Sequence, residues 1–365
     1  MKFPCARIDP EALRHNLAAV RRLAPHSRVL AIIKANAYGH GLVPVANALV
    51  EADALGVARL EEGQALRAAG ITREVVLLEG VFSRAQLAMA AEGRFQLVVH
   101  SLEQVRMLEL YRGDVRFEIW LKIDTGMNRL GLRAEEFADA YHRLRPLAVI
   151  SRLRLMTHLA CAEDPAGTVT AQQLARFASL TSGIEAELSI ANSAGLILSP
   201  QSHTDWVRPG LMLYGISPTA QPADELGLRA VMTLTTQIIA VRDVNAGEAV
   251  GYGGAWRAGR ASRIGIAAVG YGDGYPRHMR SGTPVLINGR EASVVGRVSM
   301  DMTAIDLTDH PAARLGDEVT LWGEGLPAER VAPYAGMIPY ELVCGVSQRV
   351  ALQWLGGFVG NEQFF

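Results

Sequence analysis

The sequence predicts an α/β chain with a closed eight-stranded parallel (β/α)8, or TIM, barrel over residues 1–228 and a mainly β domain over residues 229–365. Two patterns carry this expectation. Through the first part, short apolar runs alternate with helix-length amphipathic segments, the rhythm of strand–helix units. From about Ala230 the helical pattern stops, and β-branched runs follow one another across Gly, Pro, Asn and Asp turns. The length of 365 residues agrees, since it allows about two domains at roughly 150 residues each.

Each element has its own signal. Asp9-Pro10 reads as an N-cap with proline at the first helical position, and Leu13, Leu17, Val20 and Leu23 recur behind it at helical spacing. The first strand is the apolar run Val29 to Ile33, and a helix around Val43 to Ala52 leads to the second, Ala54 to Ala58. Helix-like Glu61 to Ala69 precedes strand Val75 to Leu78, and helix-like Ala85 to Ala91 precedes Phe95 to His100. Phe117 to Ile123, Leu153 to His158, Glu187 to Ala191 and Leu211 to Tyr214 complete the set of eight. That many units in about 220 residues fit a closed barrel better than an open sheet. Beyond it, Thr233 to Val244, Arg263 to Val269, Thr283 to Asn288, Ala292 to Val298, Ala304 to Leu307 and Glu318 to Trp322 are strand-like, with Asn288-Gly289 as a hairpin turn.

Composition narrows the function classes. A net charge of -1 gives no electrostatic footprint for nucleic acid or for an acidic membrane surface. No stretch approaches the ~20 apolar residues of a membrane span. The start, Met1 to Arg7, lacks the apolar core of a secretion signal. Three cysteines, Cys5, Cys161 and Cys344, lie far apart and fit neither a disulfide framework nor a metal site. The expectation is a reduced, cytoplasmic protein that holds no metal.

The reactive residues fall at strand ends, which line one mouth of such a barrel. Lys34 ends the first strand and opens the Gly-bearing segment Ala35-Asn36-Ala37-Tyr38-Gly39-His40-Gly41. Desolvation there disfavours the ammonium form and frees the amine as a base or a Schiff-base nucleophile, although a strand-end lysine can equally snorkel into water. Arg129 follows the fifth strand, His158 ends the sixth, Asn192-Ser193 follow the seventh, and Arg208-Pro209-Gly210 lie near the start of the eighth. Singly, each has a dull explanation as surface charge, core histidine or turn former. Agreement among five strand ends does not.

The segments Lys34 to Gly41, Lys122 to Gly131, Val207 to Gly210, Val250 to Gly253, Gly270 to Gly274 and Val298 to Met302 resemble those of bacterial alanine racemases, in order and along essentially the whole chain. The resemblance implies a homodimer that binds pyridoxal 5'-phosphate (PLP), acts on alanine, and combines each barrel with the partner's β-domain. It implies that Lys34 holds PLP and serves as one base, and that Tyr252 of the partner subunit is the base on the opposite face. One base returning its own proton mostly regenerates the starting enantiomer, so a racemase needs two. A free tyrosine titrates near about 10, and the resemblance supplies help from His158 and Arg208 in line behind Tyr252. Arg208 would face the PLP ring nitrogen, where a permanent cation with no acceptor keeps that nitrogen unprotonated and favours racemisation over transamination.

By the same resemblance, Asn192 belongs to the cofactor site, and Tyr38, Ser193, Tyr340 and the N–H groups of Gly210 and Leu211 meet the phosphate. Arg129 and the Met300 N–H meet the substrate carboxylate. Lys122 matches a lysine often carbamylated in relatives, which would turn a repelling ammonium into an anion that holds Arg129. Asp301 borders the partner-contributed edge, and Tyr271, Arg277 and Glu163 line a narrow access passage suited to a small side chain. Ser299 departs from the cysteine common at that place. The alternative is a broader-specificity amino-acid racemase of the same architecture. A single-domain PLP carrier would lack the second domain that holds Tyr252 and Met300-Asp301, and a basic amino-acid decarboxylase would favour an acid where Arg208 stands. The physiological role, D-alanine supply for peptidoglycan or alanine catabolism, has no signature in the sequence.

Overall fold

A computed structural model describes residues 3–357. The strands, in chain order, are β1 (Cys5–Ile8), β2 (Arg28–Ile32), β3 (Ala54–Val57), β4 (Val75–Leu77), β5 (Gln96–Val99), β6 (Phe117–Lys122), β7 (Ile150–Met156), β8 (Leu188–Ser189) and β9 (Trp206–Val207). They continue as β10 (Met232–Val244), β11 (Ala249–Val250), β12 (Trp256–Arg257), β13 (Ser262–Ala267), β14 (Pro284–Ile287), β15 (Arg290–Val295), β16 (Thr303–Asp306), β17 (Glu318–Trp322) and β18 (Ala351–Trp354). Strands β2 to β9 form a closed parallel barrel in sequence order, and β9 pairs back onto β2 through Trp206 beside Arg28 and Val207 beside Val29. The expected barrel and mainly β second part are thereby borne out.

Two expectations about elements need correction. Leu211 to Tyr214 is not the eighth barrel strand but a 3-10 turn, and the strand is the two-residue Trp206–Val207. An apolar run of four reads as a strand or as a buried turn alike, because periodicity over so few residues decides nothing. Arg208-Pro209-Gly210 therefore follow the eighth strand instead of preceding it, which puts Arg208 at the same mouth as Lys34. The segment after Lys34, expected as a loop, is a short helical stretch, Lys34–Tyr38, and its conformation is unusual.

The barrel is plugged at the end opposite Lys34. Arg154, 1% exposed, donates to Glu187 and Glu118 at 2.6 Å each and lies against the rings of Trp120 and Trp206. Trp120 in turn donates to Gln96 at 2.7 Å. Two carboxylates against one buried guanidinium satisfy the charge inside the apolar barrel.

In the second sheet, β13 pairs with both β16 and β10, so β13-β16-β15-β14-β17-β10 close on themselves. Asn288 and Gly289, at φ 48° and 78°, make the two-residue turn of the β14–β15 hairpin, as their sequence predicts. Strand β1 pairs antiparallel with β10 and parallel with β18, which ties both ends of the described chain into this sheet.

Candidate active site

The mouth of the barrel gathers cations. Lys34 lies two residues past β2, Lys122 ends β6, Arg129 lies in the loop after it, and Arg208 follows β9. Burial lowers the Lys34 amine, and the positive charge of Arg129 lowers it further. Lys122 is 7% exposed, and burial together with Arg208, Arg129 and Lys34 brings its amine down to about 8. Lys122 feels the charges of the other three, so the four share one site. Among the described residues, none of the four makes an ion pair. Lys122 and Arg208 are buried, Lys34 is half-buried and Arg129 is exposed, and cations gathered this way without ion-pair partners make a site suited to an anionic small molecule.

Arg208 is the best-held of them. Its Nη1 donates to Ser189 Oγ at 2.6 Å, and its Nη2 to Thr157 O at 2.5 Å, Ile190 O at 3.1 Å and His158 Nδ1 at 3.3 Å. Burial brings its guanidinium down to about 10, so it stays a cation at neutral pH. A guanidinium can only donate, and His158 Nδ1 must therefore accept. Burial, followed by the charge of Arg208, pushes the His158 imidazole well below its usual range and keeps it neutral. Its one hydrogen then sits on Nε2, the nitrogen turned away from Arg208.

A second group forms a cradle of hydroxyls and backbone N–H groups. Ser193 Oγ accepts from the N–H of Gly210 at 2.8 Å and of Met212 at 3.4 Å. Leu211 opens the 3-10 turn Leu211–Tyr214, so its buried N–H has no acceptor within that turn. At Gly210 a Cβ would fall 2.6 Å from Tyr38 Oη, so only glycine lets that hydroxyl reach the backbone here. The Tyr38 ring lies 4.8 Å from that of Tyr214 and 5.8 Å from that of Tyr340, which comes from the helix Pro339–Cys344 of the second part. Burial pushes the Tyr38 phenol far up, and burial with the charge of Glu163 pushes Tyr340 up to about 12, so both remain neutral hydrogen-bond donors. Asn192 caps the helix Ser193–Leu198, its Oδ1 accepting from Gly195 N at 2.9 Å.

Between the two groups, Ala35, Asn36, Ala37 and Tyr38 all have φ between 51° and 53°, one turn of left-handed helix built without glycine. Left-handed backbone costs about 1–2 kcal/mol per non-glycine residue, so the turn persists only because its surroundings hold it. Its braces, Asn36, His40 and Tyr214, carried no expected role. His40 was visible within the motif, but nothing in a single sequence distinguishes a brace from a spacer.

The remaining residues stand elsewhere. Tyr252 is 67% exposed, in the loop between β11 and β12, and its hydroxyl makes no hydrogen bond among the described residues. Met300 and Tyr271 are 52% and 40% exposed. Their loops are joined, since Tyr271 N donates to Ser299 O at 3.0 Å and Gly272 N to Met300 O at 2.9 Å. Arg349 donates to Asp301 at 2.7 Å and pairs with Asp273 at 3.3 Å, which fixes the same platform. The chain thus brings Lys34, Tyr38, Lys122, His158, Ser193, Arg208 and Tyr340 to one mouth. Tyr252, Tyr271, Met300 and Asp301 form an exposed face of the second part. Glu163 and Arg277 are exposed as well.

Comparison with known proteins gives this arrangement its context. Residues 8–218 match the family model for the alanine racemase N-terminal domain, and residues 231–354 the model for the C-terminal domain. The chain belongs to the alanine racemase family. It is 48% identical to the alanine racemase of Photobacterium profundum over 97% of this chain and 100% of that one, and 49% identical to that of Edwardsiella ictaluri over 98% and 99%. The biosynthetic alanine racemase of Pseudomonas aeruginosa superposes with a TM-score of 0.94 at 44% identity, covering 97% of this chain and 99% of the other. The alanine racemase of Bartonella henselae, solved with covalently bound pyridoxal phosphate, superposes with a TM-score of 0.87 at 27% identity over 97% and 100%. The family expected from the motifs is borne out, and with it the enzyme class. No helix among the described residues is long and apolar enough to cross a membrane, and no cluster of three or more His, Cys, Asp or Glu residues is placed among them to hold a metal ion.

Proposed function

We propose that this chain interconverts L- and D-alanine in the cytoplasm as a PLP-dependent homodimer. The barrel, residues 1–228, binds the cofactor, and the β-rich part, 229–365, completes the partner's site. The observation that carries this reading is the buried Arg208 guanidinium, held by four acceptors and bonded to His158 beside the Lys34 cluster.

The residues present fit PLP. Lys34 has the lowered amine that a covalent attachment needs. The Tyr38, Ser193 and Tyr340 hydroxyls, with the N–H groups of Gly210 and Leu211, would hold a phosphate, and Asn192 keeps Ser193 in place through its cap. When bound, PLP supplies the electron withdrawal that acidifies the α-hydrogen of an amino acid. Lys34 then takes or returns a proton on one face. Tyr252 of the partner subunit serves the other face, and the His158 Nε2–H is the donor available to stabilise its phenolate. Arg129 and the Met300 N–H hold the substrate carboxylate, with Lys122, as a carbamate, steadying Arg129. Asp301 and Tyr271 narrow the partner-side edge, and the small space favours alanine over bulkier amino acids. The product serves peptidoglycan synthesis or alanine catabolism.

Subunit mixing tests the shared site. Lys34→Ala and Tyr252→Phe should each be inactive alone. Refolded together in equal amounts they should recover about a quarter of wild-type activity, since half the dimers would contain one intact site out of two. Two inactive variants that stay inactive when mixed refute the shared site. A panel of L-amino acids followed by polarimetry tests the substrate, and no loss of rotation with L-alanine refutes the reaction.

A further inference from the structure

His40 stands six residues past Lys34 and takes no part in the chemistry proposed above. It is completely buried, with Nδ1 2.9 Å from Tyr38 O and 3.1 Å from Ala37 O. Carbonyl oxygens only accept, so Nδ1 carries the hydrogen and Nε2 bears a lone pair. Nε2 is buried and has no partner among the described residues, so an N–H formed there by a second proton would find no acceptor. Burial accordingly brings the imidazole down to about 4, and the residue is a neutral donor of one fixed tautomer.

Both carbonyls it holds belong to the left-handed turn. The His40 ring packs 4.6 Å from Tyr214, whose hydroxyl donates to Ile32 O at 3.0 Å, at the end of β2 and two residues before Lys34. A line from strand end through Tyr214 and His40 to the turn is therefore continuous. Asn36 closes the far side, its Oδ1 accepting from Leu42 N at 2.8 Å and its carbonyl from Gly41 N at 3.0 Å. The turn separates the Lys34 amine from the Tyr38 hydroxyl, so its shape fixes the spacing of covalent anchor and phosphate donor.

From this geometry we propose that His40, packed at a tilt against Tyr214, is a positioning residue whose Nδ1–H holds the left-handed turn and so keeps Lys34 and Tyr38 in register for the cofactor. The proposal rests on the PLP reading of the site.

The test uses full-length protein loaded with PLP and three variants: His40→Phe, His40→Asn, and His40→Phe combined with Ala37→Gly. Phenylalanine keeps a ring on Tyr214 and loses the donor. Asparagine places an N–H near the position of Nδ1. Glycine at 37 removes the steric penalty of the left-handed backbone. Three quantities are read: the rate of cofactor loss on dialysis, the pH midpoint of the visible cofactor absorbance, and the thermal midpoint. His40→Phe should lose PLP at least about tenfold faster, the scale of one buried hydrogen bond, with a displaced pH midpoint. His40→Asn should stay near wild type, and Ala37→Gly should recover retention when added to His40→Phe. Wild-type retention and pH midpoint in His40→Phe overturn the proposal, as does His40→Asn losing cofactor as fast as His40→Phe. Should His40→Phe not fold, His40→Asn decides: wild-type retention upholds the role, and rapid loss overturns it. A wild-type protein that binds no PLP refutes the cofactor reading instead.

Discussion

Replacing Gly210 with alanine adds one methyl group at the most crowded point of the cradle. Its Cβ would lie 2.6 Å from Tyr38 Oη, while ordinary contact starts at 3.4 Å, so the hydroxyl has to retreat by about 0.8 Å. Tyr38 has little room, being 6% exposed between the rings of Tyr214 and Tyr340. Overpacking of this kind costs about 1–3 kcal/mol. The predicted result is a lower thermal midpoint and faster PLP loss in Gly210→Ala. The cause is separable by a double-mutant cycle. Tyr38→Phe removes the clashing oxygen and leaves Cζ as the next atom, already at 3.4 Å from the new Cβ. Gly210→Ala should therefore cost little when combined with Tyr38→Phe, with a coupling energy of at least about 1 kcal/mol. Additive stabilities, or a Gly210→Ala protein that melts with wild type, would refute the placement of Tyr38 against Gly210.

Three further outcomes are expected. Arg154→Met should lower stability by about 3–5 kcal/mol, because Glu118 and Glu187 lose their buried partner; a denaturation midpoint equal to wild type contradicts the plug. The pH dependence follows from Glu187: burial pushes its carboxyl up, but hydrogen bonds from Arg154, Trp206 and Arg28 outweigh burial and hold it at about 2. A folded value below the unfolded value of about 4.3 gives stability that is present above that pH and lost as pH falls toward 2, so denaturation midpoints should drop over that window in wild type and far less in Arg154→Met. Lys122, at about 8, exposes roughly a tenth of its amine unprotonated at pH 7, enough to capture carbon dioxide. Carbon-13 bicarbonate should give a carbamate resonance that Lys122→Met lacks, and no resonance in alkaline buffer counts against the modification.

What the sequence made legible depends on how local each signal is. Strands β2 to β8 could be read because a barrel strand buried on both faces is a nearly continuous apolar run between polar turns. The eighth could not, since Trp206–Val207 is two residues long and flanked by Asp205 and Arg208, while the stronger apolar run at Leu211–Tyr214 folds as a turn. Strand β1 escaped for another reason. Cys5–Ile8 is defined by its partner residues Met232 to Thr235 and its neighbour Ala351–Trp354, more than 200 residues away.

The site divides along the same line. Lys34, Arg208 and His158 show themselves as polar residues at strand ends, where the barrel topology alone forces them together. His40 and Tyr214 look like an ordinary histidine and an ordinary buried tyrosine until the left-handed turn between them is seen. Tyr252 is the extreme case. It lies exposed in a Gly-rich loop, its hydroxyl making no hydrogen bond among the described residues. The barrel mouth, in turn, ends in a neutral His158 whose only hydrogen faces away from Arg208. A donor without an acceptor and a phenol without a donor among the described residues are the two groups that the proposed second copy of the chain would bring together.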